Sequence, residues 1–117
     1  MPEPEDVIIG PAPDRDGPLV CTLPVDRVAG RLDAFGREVF GHLRSIERAS
    51  PARLRLVLAA GADPGRVRSL LVQEQGCCGF LAFTITPAAD GLVVDLEVRE
   101  DAAGALDGFA WLARAAR

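Results

Sequence analysis

Arg53-Leu54-Arg55-Leu56-Val57-Leu58, followed after four residues by Asp63-Pro64-Gly65-Arg66-Val67-Arg68-Ser69-Leu70-Leu71, is the stretch that decides the fold. In its first half Leu54, Leu56 and Leu58 alternate with Arg53, Arg55 and Val57. Successive side chains on a strand point to opposite faces, so this alternation predicts a half-buried strand. In its second half Asp63 stands before a proline. That order pairs an N-cap with a residue pre-set for the first helical turn. Val67, Leu70 and Leu71 then recur at helical spacing and form an inward face, with Gly76 as the expected stop.

Working outward toward the C-terminus, residues 80–86 and 92–97 read as two strands joined by a loop containing Asp90-Gly91, which predicts a hairpin. Asp101 can cap a last helix whose face carries Leu106, Phe109, Ala110 and Ala113. Toward the N-terminus, Val28, Leu32, Phe35, Val39, Leu43 and Ile46 recur at three- and four-residue steps. This predicts one helix of about twenty residues, weakened by interior glycines and broken at Ser50-Pro51. Pro18-Leu19-Val20-Cys21-Thr22-Leu23 reads as a first strand closed by Pro24. The expected order is β-α-β-α-β-β-α, ending in a β-hairpin and a helix. Helices beside a partly antiparallel sheet make an α+β, two-layer sandwich.

Residues 1–17 carry four prolines and five acidic side chains against one arginine. Such a segment buries too little apolar surface to offset its ordering entropy and reads as a flexible leader. Val7-Ile8-Ile9 within it could dock as an edge strand. Residues 18–117 then form a single domain, a length that supports a modest core without staples.

Composition removes several classes of function. The 117-residue chain is 49% hydrophobic and 26% charged, which is ordinary for a globular protein. A net charge of -4 argues against a nucleic-acid partner, which calls for a basic face. All 13 basic residues are arginine, and with abundant alanine, glycine and proline this points to a GC-rich genome. No phosphate loop with its lysine and serine is present, so no nucleotide is expected. There is no basic segment followed by an apolar run, and no apolar run of the roughly twenty residues a membrane span needs. The expected location is cytoplasmic, where thiols stay reduced.

Chemistry concentrates in Glu74-Gln75-Gly76-Cys77-Cys78-Gly79-Phe80, where helix gives way to strand. Glu74 lies seven residues after Val67, four after Leu70 and three after Leu71, on the helix's inward face. Cys77 and Cys78 follow it by three and four residues. A carboxyl group and two sulfurs are therefore expected at one helix end, partly shielded from water. Glu74 could donate a proton to a departing group or, ionised, take one from a thiol. The plainer reading is packing, because free cysteine is among the most buried residue types. Cys21 is the remaining cysteine, and it too can be a buried strand residue. If strand and helix end meet, three sulfurs converge, a set suited to a soft ion such as Hg(II), As(III) or Cu(I). Zinc is less favoured, since three cysteines and one histidine cannot supply four Cys/His ligands. His42 is expected at the surface or its boundary, and Phe109 and Trp111 in the core or a dimer contact.

The segment Glu74-x-x-Cys77-Cys78-x-Phe80, with Cys21-Thr22-Leu23 upstream, resembles a group of short, mainly actinobacterial proteins with a Glu-x-x-Cys-Cys-x-Phe signature. The resemblance extends from about residue 19 to the end, and only residues 74–80 are distinctive. The group is associated with metal-resistance neighbourhoods, mercury included, and often has proline where Gly79 stands here. No activity is carried over from it. Organomercurial lyases offer an analogy of site alone: two cysteines and a carboxyl group capture mercury and protonate its carbon partner.

These observations lead to a thiol-based binding protein for a soft metal or metalloid ion, with Cys77, Cys78 and Cys21 as ligands. Its partner is a metal ion or a thiol-reactive small molecule. The alternative is a thiol enzyme, cleaving a carbon–metal bond or cycling a vicinal dithiol, with Glu74 as acid or base. A vicinal disulfide closes a strained ring and would be easily reduced. A small sandwich leaves a sheet edge or face to cover, which admits a homodimer.

Overall fold

A computed structural model describes residues 8–9, 25–77 and 81–115, with side chains described for residues 30, 33–75 and 81–115. The elements are β1 (Ile8–Ile9), α1 (Val25–Glu38), β2 (Leu43–Ser50), β3 (Arg53–Ala59), α2 (Pro64–Cys77), β4 (Ala82–Ala88), β5 (Gly91–Glu97) and α3 (Ala103–Ala115). Single turns of 3-10 helix at Phe40–His42 and Glu100–Ala102 lead into β2 and α3. The class is α+β. The strands form one sheet in the order β1-β4-β5-β3-β2, with every pairing antiparallel. No helix among the described residues is long and apolar enough to cross a membrane.

The register explains the core. Leu54, Leu56 and Leu58 of β3 stand opposite Leu96, Val94 and Leu92 of β5, and Phe83 and Ile85 of β4 oppose Leu96 and Val94. Directly opposed residues share a face, so these eight buried side chains line one side of the sheet. The core cluster joins them to Phe35 and Val39 of α1, Val67, Leu70 and Leu71 of α2, and Leu106, Ala110 and Ala113 of α3. Phe35, Phe40 and Phe109 meet with ring centroids 5.4–6.0 Å apart, binding α1 to α3. The opposite sheet face carries cross-strand ion pairs, Arg55 Nε to Asp95 Oδ1 at 2.8 Å and Arg53 Nε to Glu97 Oε2 at 3.7 Å.

One expectation needs correction, and one pair of alternatives is narrowed. The correction concerns the helix of about twenty residues. α1 ends at Glu38, and residues 43–50 are strand β2, so the order is β-α-β-β-α-β-β-α. The physical reason is a β-bulge. Leu43 pairs with Leu58 and Ile46 with Leu56, with a register shift between Leu43 and Ser45. The extra residue places two apolar side chains three apart on one strand face, which mimics helical spacing. Ser50-Pro51 is accordingly the turn of the β2–β3 hairpin and not a helix end. The alternative narrowed is that for Trp111, expected in the core or a dimer contact: it is 68% exposed on α3 and lies outside the core.

Other expectations hold. β3, α2, α3 and the β4–β5 hairpin occur where the pattern put them, with β4 shifted to Ala82–Ala88. Ile8–Ile9 pairs with Thr84 and Ile85 at the sheet edge, as the edge-strand reading of that segment anticipates. Phe109 packs partly buried against the core, and His42 is half-buried beside Gly61. The first strand expected at residues 18–23 lies outside the described residues, as does nearly all of the 1–17 segment.

Arg48 is the polar member of the sheet's buried side. It opposes Leu54, and its guanidinium reaches the carbonyls of Ser50, Pro51 and Ala103 at 3.0, 2.7 and 3.3 Å and Asp107 Oδ1 at 2.7 Å. The long stem covers apolar surface while the head ties the β2–β3 turn to α3.

Candidate functional site

α2 carries the candidate residues Glu74 and Cys77, and both of its ends are anchored. At its start Asp63 Oδ1 accepts hydrogen bonds from the backbone N–H groups of Gly65 and Arg66, at 2.8 and 3.3 Å. This is the expected N-cap, with Pro64 as the first helical residue. At its end the helix runs through Gly76 and closes on Cys77, one residue past the expected stop.

The inward face differs in one position from its sequence reading. Val67, Leu70 and Leu71 are buried as expected. The buried residue of the next turn is Gln75, four after Leu71, while Glu74 is half-buried at the flank. The Gln75 side-chain amide donates a 2.7 Å hydrogen bond to the Leu81 carbonyl, so its polar end is satisfied inside the core. Sequence reasoning passed over Gln75 because a carboxylate nearby carries more obvious chemistry. The signal was the four-residue step from Leu71.

Cys77 closes α2 one turn beyond Glu74. The backbone carbonyls at a helix C-terminus lack intrahelical partners and carry the negative end of the helix dipole. No basic residue occupies the last turn of α2 to offset it. This end of the helix therefore favours a cation and disfavours a bare thiolate.

Cys21, Cys78 and Phe80 lie outside the described residues, as does Gly79. Among the described residues no group of three or more His, Cys, Asp or Glu is gathered to hold a metal ion, and those cysteines are not members of that set.

A groove of about 460 Å³ lies elsewhere, between α1 and the first turns of α2. Its walls include Arg37, Glu38, Arg66 and Ser69. Arg66 Nη1 pairs with Glu38 Oε1 at 3.2 Å, and Arg37 Nε pairs with Asp33 Oδ2 at 3.3 Å. From Arg66 to Cys77 is about 16 Å along the helix axis, so this groove and the thiol end are separate places. Comparison with known proteins finds no matching family model, no matching curated protein and no matching solved structure.

Proposed function

We propose that this chain is a cytoplasmic thiol-based binding protein for a soft metal or metalloid ion of the Hg, As or Cu type. Cys77 and Cys78 are the principal ligands, Cys21 the third, and Glu74 tunes their protonation. The three helices form one layer over the buried sheet face, the two-layer arrangement in which the end of α2 opens beside β4. The observation that carries the reading is the position of Cys77 at the C-terminus of α2. The negative end of the helix dipole and the Glu74 carboxyl group one turn back favour a captured cation there. Binding would release thiol protons, since the thiolate is the ligand.

The alternative, a thiol enzyme, draws support from the half-buried Glu74 one turn before Cys77. In carbon–metal cleavage a sulfur would hold the metal, the carbon would leave with the Glu74 proton, and a second sulfur would take its place. A nucleophilic or redox cysteine is better served by a helix N-terminus, which lowers its pKa, than by a C-terminus. The same end disfavours the thiolate a metal needs, but a captured cation offsets that charge and a free nucleophile has no such offset, which ranks capture first.

The test is a Hg(II) titration of the reduced protein against excess glutathione, following sulfur-to-metal absorption. One equivalent should bind to the wild type, and Cys77→Ser or Cys78→Ser should abolish it. Loss of the metal to glutathione in the wild type would end the capture reading. Turnover of an organomercurial that disappears in Glu74→Gln, with binding kept, would establish the enzyme instead.

A further inference from the structure

Gln75 is 9% exposed and stands as the buried polar side chain of the described residues. A methionine of similar length would fill the same space without an amide to satisfy. Placing an amide there therefore calls for a reason beyond packing. Its Nε2 reaches the carbonyl of Leu81, six residues on and next to the start of β4. The bond ties the last turn of α2 to the strand that follows, and Cys77 belongs to that last turn.

Helix ends ordinarily fray, and Gly76, next to the last position, adds backbone freedom where fraying begins. A side-chain bond from Gln75 to buried Leu81, just before β4, opposes both effects. We infer that Gln75 is a positioning residue for Cys77, holding the end of α2 closed so that the thiol is presented from one fixed backbone site. A ligand held in place loses less freedom when it binds, which raises affinity without any added contact. The functional meaning rests on the reading of Cys77 as a ligand, but the positioning itself is measurable without metal.

The experiment uses a Cys21→Ser/Cys78→Ser background, in which Cys77 is the single thiol, and measures its alkylation rate by iodoacetamide. Gln75→Met keeps the side-chain volume and removes the donor. It should raise the rate about tenfold, because opening the last turn becomes easier when a buried hydrogen bond is lost. Val67→Ala, earlier in α2, lowers thermal stability through a cavity and should leave the Cys77 rate within about twofold of the parent. Two results would overturn the inference: a folded Gln75→Met protein with an unchanged rate, or a Val67→Ala rate raised as far as that of Gln75→Met. Should Gln75→Met not fold, amide hydrogen exchange on the wild type decides. The amides of residues 74–77 should then exchange within about tenfold of those of Leu70 and Leu71, and exchange faster by about a hundredfold would overturn the clamp. Failure of metal capture is read separately, from loss of Hg(II) to glutathione in the wild type.

Discussion

At Gly91 the chain tolerates no side chain. A Cβ there would stand 1.9 Å from the Leu58 carbonyl oxygen, because β5 begins where its backbone runs hard against β3. The obstacle is backbone in the middle of the sheet, so relief requires the strand itself to move. Gly91→Ala is expected to cost about 3 kcal/mol, at the upper end for overpacking, with a matching fall in the urea midpoint. An unchanged midpoint would show that the β4–β5 turn is looser than its close approach implies. The neighbouring pair Glu74 and Gln75 carries the same lesson of local geometry. One residue of difference decides which side chain enters the core and which stays at the flank beside Cys77.

Among the elements, α2 owes its start to local chemistry. Asp63 accepts two backbone hydrogen bonds that the first turn would otherwise leave to water. Asp63→Ala should lower stability by about 1 kcal/mol, while Asp63→Ser should recover most of it. Equal losses in both variants would mean that the cap contributes nothing specific. β2 is the opposite case. Among the described residues it is an edge strand, and register shifts near both of its ends accompany Arg44, Glu47 and Arg48 along its length. Bulges and charges of this kind discourage pairing with another chain. Among the described residues the exposed Trp111 on α3 is the large apolar side chain left at the surface.

For the whole molecule, one sheet face holds the core and distant parts are joined by surface ion pairs. Arg44 Nη1 donates to Asp90 Oδ2 at 2.6 Å, linking β2 to the β4–β5 turn. That hydrogen bond, followed by the charge of the guanidinium, holds the Asp90 carboxyl below its ordinary range. A folded-state value below the unfolded one stabilises the fold above about pH 4, the usual aspartate range, and this is lost as pH falls through the lower folded value. The stability difference between wild type and Asp90→Asn should therefore be present at neutral pH and vanish in strong acid. Salt should shrink it, because both partners are exposed. A difference independent of pH would assign the effect to turn conformation and not to charge.

Local signals alone determined β3, the capped start of α2, the β4–β5 hairpin and α3. Each rests on alternation, a cap or a turn residue within a few positions of itself. The place of Cys77 at the end of α2, one turn past Glu74, was legible for the same reason, since the two are neighbours in sequence. Tertiary structure decided what neighbours cannot. It made Leu43 and Ile46 partners of Leu58 and Leu56 across a bulge, although their spacing alone is that of a helix. It put Gln75 rather than Glu74 in the core, where the amide donates to the Leu81 carbonyl. Strand order and the choice of buried side chain depend on groups brought together from far along the chain, and local periodicity carries no record of them.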